Sequence, residues 1–294
     1  MVTPRSSVWR AACLRVSHGV VLSSVLLGSG CALFPAAEWG THQTASKAML
    51  PPLRVAPDAI QLEVVLLERW CDDPLLTREV WQEVSQLGTI SAEDRNRLKA
   101  NGLRVGQIGA TPPPSVQNLL GIGAGNSSWD TDANQVTGRR LSLQSGNETE
   151  ISLSDPRDEC QIAFRSDQKS ETETFQLARC VMRVRPSRLQ EGWSRIEFTP
   201  EIHHGDARLR PAATEQGWAY QNGQKTNARH ELRFDVKLNV GEFALVTADP
   251  EVLGSWGEQA FVHEQNGRRK QRVLLVRLTD LGTAREAGLY PGNP

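Results

Sequence analysis

The chain has 294 residues, of which 33 are basic and 34 acidic, for a formal net charge of −1. Charges of both signs are interspersed, which leaves no electrostatic case for nucleic acid or for an anionic membrane surface as partner. Aromatic residues make up only 6%, whereas 24 glycines and 16 prolines punctuate the sequence, a composition that suits many short strands and turns better than a helical bundle.

The N-terminus has the three parts of a secretory signal. Arg5, Arg10 and Arg15 precede any acidic residue, an apolar stretch covers 19–27, and Gly28, Ser29 and Gly30 lead to Cys31. The apolar stretch is too short to cross a bilayer, which takes about 20 residues. Small residues immediately before a cysteine resemble a bacterial lipobox, although Gly28 stands where a large aliphatic residue is usual and Leu27 lies one place further back. Residues 1–30 are therefore expected to be a signal peptide. Cys31 is expected to carry a lipid such as palmitate as the first residue of the mature chain. Residues 31–56, rich in Ala, Thr and Pro without periodicity, are expected to be a flexible tether. The competing reading is a cytosolic protein with an apolar N-terminal helix.

A small α+β module is expected over 57–125. "IQLEVVLLERW" is an apolar, β-branched run of strand length. In the segment that follows, Asp73 can cap a helix, Pro74 suits its first turn, and Leu76, Val80, Val84 and Leu87 recur at helical spacing up to Gly88. A second helix is expected in "SAEDRNRLKANG", capped by Ser91 and closed by Gly102, followed by a short strand in "LRVGQIG". "TPPPSVQNLLGIGAGNSSWDTDANQ" reads as a linker with one helical turn. Its "GIGAGN" does not fit a nucleotide loop, because no strand precedes it and no Lys-Ser or Lys-Thr follows.

From Val136 to residue 282 the pattern is β. "RRLSLQSG" and "ETEISLSD" are short runs around a turn, and "TFQLARCVMRVRP" is a longer one. In "WSRIEFTPEI", Ile196 and Phe198 alternate with polar neighbours. "ELRFDVKLNV" sets Leu232, Phe234, Val236, Leu238 and Val240 on one face, and Gly241 permits a turn into "EFALVTA", so these two runs are expected to pair as an antiparallel hairpin. "QRVLLVRL" is apolar on both faces and should be central. "HEQNGRRKQR" reads as a solvated basic hairpin loop. A hairpin centred near Ser170 would bring Cys160 opposite Cys180, which leaves two readings open: a disulfide, permitted in an exported protein, or two buried free thiols.

Four segments of this β region, in this order, resemble the C-terminal domain of bacterial secretins, the ring-forming outer-membrane channels of type II and type III secretion and of type IV pili. "RRLSLQSGNETEISLSD" resembles the family's early strand pair. "VMRVRPSRLQEGWSRIEFTPEI" resembles its "L-x-V-x-P … G … V-x-L-x-I-x-P-x-I" hairpin, "RHELRFDVKLNVGEFALV" its paired strands meeting at "V-x-x-G", and "RKQRVLLVRLTD" its closing strand. The sequence departs from the family at "TADPEV", where a glycine-rich turn is usual, and in the reduced "PEVLGSWGEQAFV". It also offers too little chain between the early and middle strands for membrane and gate hairpins. The resemblance implies a mixed, mostly antiparallel secretin-like sheet without its pore, and an envelope protein that assembles or binds.

Enzyme chemistry has one candidate locus, His203 and His204 with Glu201 and Asp206 nearby. On a strand the two imidazoles face opposite sides and cannot share a metal unless the strand ends there, so a solvent-facing strand end is the expectation. Nucleophile-elbow and H-E-x-x-H motifs are absent. The sequence thus reads as an α+β, non-enzymatic lipoprotein of the bacterial cell envelope. It would be held to a membrane through Cys31, facing the periplasm or the exterior. A protein partner or homo-oligomer is expected, with no cofactor, no metal, no catalytic residue and no nucleic acid. The alternative is a secreted metal-dependent or carbohydrate-active enzyme using His203/His204.

Overall fold

The computed structural model describes residues 58–86, 90–122, 136–166, 169–190, 192–214 and 217–282. The expected signal peptide, the tether and Cys31 lie outside these residues. β1 (Ala59–Trp70) is the expected first strand. The helix after it is shorter than its spacing suggested: a π-helical turn over Leu75–Glu79 runs into α1 (Val80–Glu83) and stops. Asp73 caps the start, accepting from the Leu75 N–H at 2.9 Å. The stop comes early because the edge of a neighbouring strand competes for the backbone: Ser85 exchanges two hydrogen bonds with Gln107, at 3.1 and 2.8 Å. α2 (Ala92–Ala100) forms as expected, with Ser91 accepting from the Asp94 N–H at 3.0 Å and Gly102 at φ +72° after its end. β2 (Leu103–Ile108) and α3 (Pro114–Leu119) follow.

The rest is largely strand: β3 (Val136–Gln144), β4 (Thr149–Ser152), β5 (Arg157–Arg165), β6 (Ser170–Arg188), β7 (Trp193–Thr214), β8 (Gly217–Ala228), β9 (Phe234–Asn239), β10 (Phe243–Ala248), β11 (Val262–Gln265) and β12 (Arg268–Leu281), with α4 (Trp256–Phe261) before β11. These strands make two antiparallel sheets. The first has the order β2-β10-β12-β1-β3, with β11 also beside β12. In the second, the latter half of β6 (179–188) pairs with the first half of β7 (194–203), β4 and β5 flank β6, and β8 and β9 flank β7.

Sheet membership corrects three expectations. The modules drawn at 57–125 and 136–282 are not separate, since β1 lies between β12 and β3, and β2 pairs with β10. A strand as apolar on both faces as β1 needs cover on both, and β12 is its match. Second, the runs around "SGNE" do not pair with each other: β3 joins β1 in the first sheet and β4 joins β6 in the second. Third, β9 and β10 do not form a hairpin. β9 pairs with β7 and β10 with β12 and β2, so Gly241 carries the chain from one sheet to the other. Gly241 has φ +93°, and a Cβ there would stand 2.9 Å from that of Ala110, so both backbone and space require glycine. The expected inward face of this run holds, with Phe234, Val236 and Leu238 buried, but Val240 is exposed. Alternation dictates which face is buried; it is silent on the partner strand.

The two sheets enclose the main core, to which β1 contributes Ile60, Leu62 and Val64, β12 Leu274 and Val276, and β7 Ile196, Phe198 and Ile202. Phe198 stacks on Phe234 with ring centroids 5.0 Å apart. A second apolar cluster lies on the other face of the first sheet, where Leu67, Leu245, Val273 and Leu275 meet Leu76, Val80, Trp81, Val116 and Leu119 of the helical segments. β12 is therefore central and covered on both faces, as its sequence demands.

Candidate functional site

β7 positions the most chemically loaded cluster. Its even positions, Ile196, Phe198 and Ile202, point into the core. Its odd positions point away, and near the start of the strand they are solvated: Glu197 pairs with Arg185 at 3.1 Å and with Arg233 at 3.8 Å. Further along, the same face closes over. Glu201 is fully buried and His203 nearly so. His203 Nε2 lies 3.0 Å from Glu201 Oε2 and 4.0 Å from Glu150 Oε1, which reaches across from β4. Arg183 of β6 ion-pairs with the other oxygen of Glu201 and lies 3.2 Å from Glu148. Among the described residues, Glu150, Glu201 and His203 are the one group whose donor atoms converge, all within 4.8 Å of one another.

This arrangement departs from the expected solvent-facing strand end. β7 does not end at the histidines; it continues to Thr214 beyond a register shift at 204–208, where Gly205 has φ +75°. The histidines do face opposite sides. His204 stacks edge-on against Phe175 with centroids 5.1 Å apart, on the face away from Glu201. Asp206 is exposed and meets Arg208 at 3.5 Å, outside the cluster. Sequence reasoning missed Glu150 and Arg183. The alternation of β4, with Ile151 buried, sets Glu150 on the outward face, but only the β4–β6–β7 register brings it to His203.

The cysteine pair is also corrected. β5 and β6 form the expected hairpin, but its register places Cys160 opposite Phe175, not Cys180. The hairpin turns between Arg165 and Ser170, short of its expected centre. Cys160 and Cys180 are free and buried. Burial, reinforced by the neighbouring Cys160, pushes the Cys180 thiol up to about 12, and burial also raises Cys160 against the opposing pull of Arg157. A raised thiol is less readily a thiolate, and burial suits both to packing.

A polar strut ties the first sheet to the β4–β5 connection. Arg272 of β12 donates to Glu68 at 2.8 Å, to Asp155 at 3.0 Å and to the Leu153 carbonyl at 2.6 Å. His263 sits 3.6 Å from Glu68, and burial holds its imidazole below the ordinary value despite that carboxylate.

The second sheet ends in β5 on one side and β8 on the other. Among the described residues β8 pairs only with β7, whereas β5 pairs along its length with β6 and is partly closed on its outer side, where the Ala163 N–H donates to the Gly254 carbonyl at 2.7 Å in a bridge to Ser255 and the Arg165 N–H donates to Asn101 Oδ1 at 2.8 Å. Beyond His203, β7 has no strand partner but β8 among the described residues, so 205–214 and 217–223 form a two-stranded ribbon that leaves the sheet. Leu209 and Tyr220 on it are 71% and 76% exposed.

No family model matches the sequence, and no curated protein matches it. Solved structures similar to it are secretins. The type II secretin GspD of enteropathogenic Escherichia coli is 10% identical, with 74% of this chain and 67% of that chain covered and a TM-score of 0.20. The type IV competence pilus secretin PilQ of V. cholerae is 10% identical over 74% of this chain and 57% of its own, with a TM-score of 0.19. The InvG secretin domain β-barrel from the Salmonella SPI-1 injectisome is 12% identical over 80% of this chain and 65% of its own, with a TM-score of 0.20. The chain thus spans 57–67% of the length of these secretin chains. At TM-scores near 0.2 the superpositions carry no argument about what this chain does.

Proposed function

We propose that this protein is a non-enzymatic component of the bacterial cell envelope, anchored through a lipid on Cys31, whose second sheet joins copies or partners by its edges. The observation that carries this reading is the outer edge of β8, beside which no further strand lies among the described residues; on the other side of the sheet β5 is open only before Ala163, whose N–H donates to the Gly254 carbonyl at 2.7 Å. An edge strand presents unpaired N–H and C=O groups, and two different edges on one sheet suit head-to-tail addition, which gives a ring when the rotation closes. A two-stranded ribbon is marginally stable alone in water, which further favours a neighbour beside 205–223. The order of the four secretin-like segments supports the same reading, and the hairpin that the second segment resembles is present as β6–β7.

The reading is of a domain without a pore. β5 turns Cys160, Ile162 and Phe164 into the protein and Glu159 and Gln161 to water, so it has no apolar row left for lipid. The alternative enzyme at His203/His204 is disfavoured by the opposed faces of the two imidazoles. The test is to extract the protein from bacterial membranes in mild detergent and measure mass and size. The expected result is a chain beginning at an acylated Cys31 and sedimenting as a many-copy assembly that gives no current in planar bilayers. A soluble monomer retaining Met1 would overturn the reading.

A further inference from the structure

We propose that Glu150, Glu201 and His203 form a Zn2+ site that clamps β4 to β7 across the intervening β6, a role independent of the assembly reading. The three donors are brought together by register alone: β4 places Glu150 beside Arg183 of β6, and β6 places Val181 and Arg179 beside Glu201 and His203. One imidazole nitrogen and two carboxylate oxygens with a fourth position left to water is a donor set that suits Zn2+. With metal–donor bonds of about 2.0–2.2 Å, tetrahedral donors stand roughly 3.3–3.5 Å apart. The 3.0 and 4.0 Å separations from His203 Nε2 bracket that spacing. Glu150 has a half-exposed side chain and can close the longer gap by a rotamer adjustment, while its exposure leaves the cluster open to an entering ion.

Charge argues the same way. Glu201 is a carboxylate with no solvent exposure, and such a group requires compensating positive charge. Arg183 occupies one of its oxygens but is shared with Glu148. A divalent cation between Glu150 and Glu201 would add positive charge beside the buried carboxylate of Glu201. Arg183 then holds the non-ligating oxygen of Glu201 and leaves Oε2 as a single-oxygen ligand, as hydrogen-bonded partners of metal-binding carboxylates do. The role proposed for the ion is to tie β4 to β7, the two strands that supply its ligands.

The test uses the untagged chain, stripped with a chelator, titrated with ZnCl2 by calorimetry and with Co2+ as a spectroscopic probe. The expected result is one saturable Zn2+ site per chain, with a four-coordinate Co2+ absorption band and a higher thermal midpoint when zinc is present. Glu150→Gln, on the exposed side of the cluster and so compatible with folding, should weaken binding at least about tenfold and abolish the midpoint shift. His203→Ala should do the same, and His204→Ala, on the opposite face, should leave binding intact. Binding that is absent, non-saturable, or equal in the wild type and Glu150→Gln would overturn the proposal.

Discussion

The two sheets meet on one core but differ in what covers their other faces. In the first sheet, β12 carries Val273, Leu274, Leu275 and Val276 at no exposure, alternately toward the second sheet and toward the helical segments. In the second sheet, β7 has an apolar row, Ile196, Phe198 and Ile202, on one face only, and its other face carries the polar Glu197, Glu201 and His203, the last two buried. A strand covered twice is written in apolar residues and serves as scaffold. A strand covered once keeps a polar face, and that is where the ion pairs and the convergent donors collect.

That contrast can be broken by substitution. Leu275→Asp places an unpaired charge in the apolar cluster beneath the helices and should abolish cooperative folding, a loss above about 4 kcal/mol. A well-formed urea transition in that variant would mean the helical layer does not seal the sheet. Phe198→Ala removes a ring stacked on Phe234 between the sheets and should cost about 3–5 kcal/mol in urea unfolding. On the opposite face of the same strand, Glu197→Gln should shift stability by less than about 1 kcal/mol, because its partners Arg185 and Arg233 are well exposed. Equal losses from Phe198→Ala and Glu197→Gln would show that β7 is buried on both faces. The smallest effect concerns His263. Burial holds its imidazole below the ordinary value, so the unfolded chain takes up the proton more readily than the native one. Its contribution is therefore full above about pH 6.5 and is lost as pH falls through the lowered native value. The urea midpoint should drop between about pH 7.5 and pH 5, and His263→Gln should flatten part of that slope.

Much of the local structure was legible in the sequence because it rests on local chemistry. Ser91 and Gly102 bound α2 as capping rules require, and the Asn266-Gly267 turn between β11 and β12 has both residues at positive φ, as a tight hairpin needs. The inward face of β9 followed from alternation. What alternation lacks is the identity of the neighbouring strand, and the three corrected pairings share this cause: β1 with β12, β3 with β1, and β9 with β7 are contacts between segments remote in sequence. The Glu150–Glu201–His203 cluster was half legible for the same reason. Glu201 and His203 are two residues apart on one strand, whereas Glu150 arrives through two strand registers. The cysteine pairing failed on a smaller error, a turn lying a few residues before the expected centre, which moved Phe175 into the place opposite Cys160.

On the proposed reading, the β8 edge of the second sheet and the part of β5 before Ala163 join one copy to the next. Electron microscopy of the membrane-extracted protein, alone and with a proline placed in the β8 edge at Asn222, tests it most directly. The account predicts closed, symmetric particles of many copies that fall apart in Asn222→Pro while the folded monomer persists. Uniform single-copy particles of the wild-type protein at every concentration would contradict it.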